Sequence, residues 1–462
     1  MVHEHARLVR WVPLLLLGVV AVFYIWLLRD NYFFVDDFLW LEFGGRANSL
    51  SEILAVNTGH FYNPLLNLYF WLVVQITQGE AFPMYVHAVI LHCLNAYLVY
   101  TLVRAKLGQT GAYTTLLLAA LPYFGGEAIV WLAALPHLLV GTWLLVSFIL
   151  LERYTTSRQT HYLWLANIAA VIALFTKEAA YVWPILLAAY YVWYAREPKP
   201  LRMLLKKHWL PIILYAGFML FQYLYVLKNG STLTHYLTWN PLPQLGSMLA
   251  SGIGILWPQA AEAILHPFTT APLLILILLL SLGIILTRYF KRNAKHTAIG
   301  ILYFGLAWLI IYLIYTGLTV NSSSGNLIPP RYLYISGIGF AIMLGAATEL
   351  LKRAHTFWFV AIFFILINNA YLTVKRDQMI YNPLSETTRS LVTTLPALQQ
   401  PHDIYIVNDY PFSFNADYLP AILAMYHGIP KSRLHFITPQ TTTPNNATRL
   451  RYDYTTAQWL TY

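Results

Sequence analysis

Charge is what this chain has least of. Asp, Glu, Lys and Arg make up 10% of its 462 residues, against about a quarter in soluble domains. With 58% of the residues hydrophobic, a water-soluble fold could not hide its apolar surface. Cysteine is nearly absent as well. Cys93 stands alone, so no intrachain disulfide can form, and a single Cys on an apolar helix face is a packing residue. There is no P-loop, no dinucleotide-binding glycine fingerprint, no zinc-finger spacing and no tandem repeat of about 20–50 residues. ATPases of the P-loop type, nicotinamide enzymes and solenoid scaffolds drop out on those grounds.

What the chain does have is long apolar runs almost free of charge, such as Trp11–Leu28 and Ala271–Thr287. Each is long enough to cross a hydrocarbon core of about 30 Å as a helix. Backbone groups in lipid must bond to one another, so these runs have to be helical. The first run lacks a small-residue cleavage site and leads straight into Arg29-Asp30-Asn31-Tyr32-Phe33, which argues against a cleaved signal peptide. Eleven spans are expected, near residues 11–28, 83–103, 111–124, 135–151, 162–176, 180–194, 209–227, 271–287, 297–319, 331–351 and 356–374. The fold class is therefore an all-α polytopic membrane protein.

The net charge of +10 is not that of a nucleic-acid binder, because the basic residues gather in short loops. About seventeen lie on one side, among them Arg104, Lys106, Arg196, Lys199, Arg202, Lys206 and Lys207, and about five on the other: Arg29, Arg46, Lys177, Lys228 and Arg331. That asymmetry places the N-terminus in the cytoplasm and, with eleven crossings, the C-terminus outside. Residues 245–265 are apolar but hold Gly246, Gly252, Gly254, Pro258 and Glu262. Counting them as a crossing would put the basic loop 288–295 outside, so they are read as a re-entrant or interfacial segment, with a twelfth crossing as the alternative. Two outer regions are long. The first loop, 29–82, includes an aromatic stretch expected to lie along the interface. The second, 375–462, contains the strand-like run Asp403-Ile-Tyr-Ile-Val-Asn408 and a helical pattern near 416–427, which together suggest a small α/β unit.

Ionisable groups near a membrane are expensive, and each needs a reason. Asp36 and Asp37 stand side by side among aromatics. Like charge and partial desolvation raise at least one pKa, which suits a general base or a ligand for Mg²⁺ or Mn²⁺; the plainer alternative is a cap for the helix that follows. Lys177-Glu178 closes a span. Neighbours on a helix do not face each other, so the two are expected to contact different partners. Arg331 opens a span in Pro329-Pro330-Arg331-Tyr332 and, like Lys177, breaks the charge rule. It either grips a phosphate with its planar fork or snorkels to the interface. Glu127 is a site acid or a plain loop acid. His87 and His92 lie about 140° apart on a helix, so they cannot share a metal and are expected to pack and hydrogen-bond.

Taken in order, these residues resemble the GT-C superfamily of membrane glycosyltransferases, and within it the protein O-mannosyltransferase-like branch. The matching pieces are Val35-Asp36-Asp37, Tyr62-Asn63-Pro64-Leu65-Leu66-Asn67, the stretch from Tyr85 to Asn95, Glu127-Ala-Ile-Val-Trp131, Thr176-Lys177-Glu178-Ala179 and Arg331-Tyr332-Leu333-Tyr334. The likeness covers about residues 10–375. The branch often has Arg where this chain has Asn63, tetratricopeptide repeats are missing, and the tail matches nothing in the family.

The resemblance implies a catalytic membrane domain, 1–374; beside it, the strand and helix patterns of 375–462 make that tail a small extracytoplasmic domain. The resemblance also implies a polyprenyl-phosphate-linked sugar donor, a protein, lipid or glycan acceptor, and a bacterial or archaeal plasma membrane. Asp36 or Asp37 would be the base. Arg331, Lys177 and Tyr332 would face the donor phosphate. Glu127, Glu178 and His60 would bind the acceptor or shape the site. Part of the family is metal-independent and part is not. Two other classes stay open: a lipid-linked polysaccharide ligase or polymerase, which would use an Arg- and His-rich outer loop, and a transporter or flippase, which would carry inverted repeats and midplane charges.

Overall fold

The structure is a computed structural model. It describes residues 2–47, 49–55, 62–228, 241–255, 296–319, 327–351, 355–394, 403–407, 433–437, 448–453 and 458–461. Helices dominate the first 394 residues. In chain order they are α1 (Val2–Leu28), α2 (Asp37–Arg46), α3 (Leu50–Ala55), α4 (Pro64–Thr77), α5 (Ala81–Arg104), α6 (Gln109–Ala120), α7 (Tyr123–Val130), α8 (Leu135–Ser157), α9 (Thr160–Thr176), α10 (Trp183–Ala189) and α11 (Pro200–Lys228). After these come α12 (Pro241–Gly254), α13 (His296–Thr319), α14 (Tyr334–Leu350), α15 (His355–Arg376) and α16 (Asn382–Thr394).

Seven helical stretches among the described residues are long and apolar enough to cross a membrane, and each matches an expected span. Three other expected spans take a different form. The run 111–124 breaks at Leu121-Pro122 into α6 and α7, because Pro cannot extend the first helix. The run 162–176 forms the 17-residue α9, about 25 Å long and short of a full hydrocarbon core. The run 180–194 is a chain of three short pieces: a 3₁₀ turn, α10 and a π-helical turn. The span expected at 271–287, residues 256–265 of the 245–265 segment and the helix expected near 416–427 lie outside the described residues. Within 245–265, the helix α12 accounts for the part up to Gly254.

α8 and α14 are buried over 78% of their apolar windows, so they form the centre of the bundle, whereas α11 lies at its edge with 17% buried. Small residues let the central helices approach closely. A Cβ built on Gly339 would lie 2.5 Å from the backbone nitrogen of Leu309 on α13, and one on Gly345 would collide with Thr115 on α6. Polar side chains inside the bundle satisfy one another. His92 bonds to the Tyr334 hydroxyl and the Ala120 carbonyl at 3.1 and 3.0 Å. Asn95 donates to the Leu138 carbonyl at 2.8 Å and accepts from Thr142 at 2.7 Å. His87 meets the Tyr69 hydroxyl at 2.5 Å. The two histidines therefore pack and bond separately, as their spacing predicts.

α11 kinks at His208, whose backbone leaves helical geometry. Its ring bonds to Tyr191 and Asn167, both at 2.7 Å. The kink falls one residue before the expected start of that span at 209, where the basic run ends. Further on, the helix expected to end near 374 continues through a π-helical turn, Asp377–Tyr381, into α16. A small sheet follows: β1 (Ile404–Val407), β2 (Leu434–Ile437), β3 (Thr448–Asp453) and β4 (Gln458–Thr461), in the order β2-β1-β3-β4. β1 pairs in parallel with β2 and β3, and β3 pairs antiparallel with β4. β1 coincides with the expected strand, and α16 covers the sheet through Trp459, whose indole donates to the Thr387 carbonyl at 3.2 Å.

Candidate functional site

The acid pair sits where the loop after α1 turns into α2. Val35, a β-branched residue, has φ of 53°, a left-handed conformation that costs such side chains about 1–3 kcal/mol. Asp37 holds the turn in place. One of its oxygens accepts the Phe34 N–H at 3.2 Å and the other the Ala133 N–H at 2.7 Å. It is 1% exposed, and burial, with Asp36 adding like charge, pushes its carboxyl well above the usual range. Asp36 occupies the N-cap position of α2 but makes no cap bond, so the capping alternative fails for its side chain. Its Oδ1 is buried without a hydrogen-bond partner. Burial raises Asp36 to about 6, against the opposing pull of Arg331 and Lys177. The Trp131 indole lies near enough to favour the carboxylate slightly, yet neither Trp131 Nε1 nor Asp36 Oδ1 completes a hydrogen bond.

Arg331 is anchored on Glu127. Its Nη1 lies 2.9 Å from one carboxylate oxygen and its backbone N–H 3.0 Å from the other. The guanidinium stacks 4.3 Å above the Trp131 ring and 4.7 Å from Tyr332. It is therefore a paired interior side chain, not one snorkelling to the interface. Tyr332 meets His137 edge-on at 5.2 Å. Lys177 and Glu178, expected to part, form an ion pair at 2.9 Å. The helix argument does not apply there, because α9 ends at Thr176 and Lys177 is extended, with φ −162° and ψ 148°. Burial works against the Lys177 ammonium, but Glu178 and Tyr332 together outweigh it and keep its pKa above the ordinary value. His60 lies outside the described residues.

Three groups near this site were not foreseen. Arg376 reaches Glu127 from the far side, with Nη2 at 3.7 Å. Tyr381 and Trp131 sandwich Phe34, with ring centroids 5.8 and 6.0 Å from it. Asn31, just before the acid pair, donates to Asp377 at 2.9 Å. One signal for Arg376 was present in the sequence: a basic residue just past the last expected span, on the side that the loop charges read as outer.

As a metal centre the acid pair falls short. Both Asp37 oxygens are taken by N–H donors, and no three His, Cys, Asp or Glu side chains gather among the described residues. Asp36 by itself does not furnish the oxygen shell that Mg²⁺ or Mn²⁺ requires.

Residues 62–226 match the family described as dolichyl-phosphate-mannose-protein mannosyltransferase. Over that segment the chain is similar to a family of membrane glycosyltransferases. The matched segment holds Glu127, Lys177 and Glu178; the acid pair and Arg331 lie beyond its ends. Among solved structures, the apo form of the Archaeoglobus fulgidus oligosaccharyltransferase superposes with a TM-score of 0.50 at 12% identity, over 93% of this chain and 65% of that one. The same protein with Zn and sulfate gives 0.48 at 13% identity, over 92% and 62%. The archaeal oligosaccharyltransferase AglB from that organism, with an inhibitory peptide and a dolichol-phosphate, gives 0.45 at 12%, over 90% and 64%. The first likeness is one of fold alone. The chain spans slightly under two thirds of the length of these structures. No curated protein matches it.

Proposed function

We propose that the chain transfers a sugar from a polyprenyl-phosphate carrier to an acceptor hydroxyl at the extracytoplasmic face of the membrane, with Asp36 as general base. The acceptor would be a protein, lipid or glycan. The observation that carries the assignment is the buried, unpartnered Oδ1 of Asp36, a proton acceptor held near neutral pH in the field of Arg331 and Lys177. In the reaction the acceptor oxygen forms a bond to the sugar's anomeric carbon, and its proton passes to Asp36. The bond from that carbon to the phosphate oxygen breaks, and its electron pair leaves with the polyprenyl phosphate. Arg331 and Lys177 supply positive potential where that negative charge collects. Asp37, with both oxygens engaged, positions its neighbour and does not move a proton. Glu127 and Glu178 shape the site by orienting the two cations.

The ionised groups stand at helix ends: Asp36 before α2, Lys177 after α9 and Arg331 just before α14. That placement favours chemistry at the interface over passage through the bilayer. The reading includes eleven crossings with a cytoplasmic N-terminus, a catalytic membrane domain over 1–374, and an outer domain over 375–462. Incubating the purified protein with a panel of radiolabelled polyprenyl-phosphate sugars and acceptor extracts tests it. Transfer from at least one donor, abolished in Asp36→Asn, is the expected result. Transfer that proceeds equally well in the variant overturns the base.

A further inference from the structure

Helix α9 runs from Arg158 at one end of the bundle to Lys177 at the acid-pair end. At the Arg158 end the basic residues have two fates. Lys106 lies 3.3 Å from Glu152, and Arg158 lies 3.7 Å from Glu197. With those carboxylates taken, no acid pairs with Lys199, Arg202 or Lys206 among the described residues. The local structure sets these three apart. Pro211 has no N–H to give the Lys207 carbonyl, and the helix breaks at the next residue, His208, with φ −128° and ψ 15°. Residues 200–207 therefore form a basic piece of their own at the head of α11. Its inner side, Met203 and Leu204, packs on the bundle. Its outer side carries two parallel rows, each with a four-residue step. Arg202 and Lys206, both exposed, make one row. Leu201 and Leu205, 68% and 58% exposed, make the other. Just past the kink stands Trp209, also exposed, a residue type that favours the headgroup level of a bilayer. Lys199, Arg202 and Lys206 join Pro200 and the two leucines around an open hollow of about 660 Å³.

We infer that residues 199–209 are a binding site for an anionic phospholipid of the leaflet at that end of the bundle. Water is a poor partner for the leucine row, and lipid tails alone are a poor partner for three cations. A lipid with a net negative headgroup meets both needs: its phosphate sits among Lys199, Arg202 and Lys206, and its acyl chains lie along Leu201 and Leu205. The fork of Arg202 can meet two phosphate oxygens, with the lysines as point charges beside it. A nucleic acid or an acidic peptide would match the cations but leave the leucines and Trp209 in water. The inference is independent of the proposed function, since the site lies at the opposite end of the bundle from the acid pair.

The test uses the full-length protein in phosphatidylcholine nanodiscs, with trace spin-labelled phosphatidylglycerol or spin-labelled phosphatidylcholine as probe. The fraction of each label immobilised at the protein gives the preference for the anionic lipid. Wild type is expected to prefer phosphatidylglycerol. Arg202→Gln combined with Lys206→Gln should lower that preference by roughly fivefold or more, the scale of one basic group at an anionic surface. Arg104→Gln combined with Arg153→Gln removes two exposed charges from the same end of the bundle and should leave it nearly intact. Glycerol 1-phosphate, which has the headgroup chemistry without the tails, should not displace the label at matched ionic strength. A wild type with no preference overturns the inference, and so does an equal loss in both double variants, which would assign the preference to diffuse charge. Displacement by glycerol 1-phosphate would make this a site for soluble anions and overturn the lipid. If the Arg202–Lys206 double variant does not fold, the single variants decide: a loss in at least one supports the inference, and no loss in either overturns it.

Discussion

Replacing Asp36 by Asn removes one charge and almost no volume. Burial holds this carboxyl at about 6 against an ordinary 3.8. Each pKa unit is worth about 1.4 kcal/mol, so ionising the group at neutral pH costs the folded protein on the order of 3 kcal/mol. The folded value lies above the unfolded one. The associated stability is therefore fully present below pH 3.8, is lost as pH rises through about 6, and stays absent above that. Asn never ionises, so the variant should melt several degrees above wild type at neutral pH, and the gap should close toward pH 4. Turnover should move the other way, falling by roughly 10²- to 10⁴-fold, the usual contribution of a general base. The wild-type rate should fall tenfold per unit of pH below about 6. Thermal melts followed by tryptophan fluorescence and initial rates of sugar transfer would measure both. The reasoning is refuted if the variant is less stable than wild type at neutral pH yet turns over normally, or if the wild-type rate is flat between about pH 5 and 8.

Three more expectations rest on the same packing. Glu127→Gln leaves two guanidiniums without their shared carboxylate and should lower stability by about 2–4 kcal/mol, read as a fall in melting temperature; a change within about 0.5 kcal/mol would mean that Glu127 does not anchor Arg331. Gly345→Val drives a side chain into Thr115 and should prevent α6 and α14 from docking, whereas Gly18→Ala, with nothing within 4 Å, should melt like wild type; size-exclusion profiles in detergent would separate the two. A reporter active only outside the cytoplasm, fused after residue 462, should be on if the chain crosses eleven times from a cytoplasmic N-terminus; a silent fusion contradicts the loop-charge argument.

Much of the fold was legible because lipid imposes a simple rule. An apolar run of sufficient length must be a helix, and seven such runs are. Where packing overrides length, the same rule misleads. Pro122 divides one run, and the 180–194 run bends through 3₁₀ and π turns although its composition is that of a span. The site was legible as a set of residues and not as a set of contacts. Asp36, Asp37, Glu127, Lys177 and Arg331 stand out because charge near lipid is rare. Which carboxylate is held and which is free depends on the Ala133 N–H, 96 residues from Asp37, and sequence spacing carries no trace of that. The Lys177–Glu178 pair was unreadable for a local reason, since its geometry follows from where α9 stops. Arg376 was signalled by its charge at the end of an apolar run, but its contact with Glu127 was not.

The loop that carries Asp36 is tied to the far end of the chain. Asn31 bonds to Asp377 across 346 residues of sequence. The Tyr32 N–H bonds to Ser385, and Arg389 reaches the Asp30 carbonyl at 2.8 Å. Read as a biosynthetic schedule, these ties mean that the acid pair leaves the ribosome long before the residues that set it in position. A chain halted just before α16 would hold α1–α15 and the Asn31–Asp377 tie, and still lack the Ser385 and Arg389 bonds that complete the clasp on the acid-pair loop. On the proposed function, nascent copies would therefore sit in the bilayer without consuming a lipid-linked donor until α16 has been made.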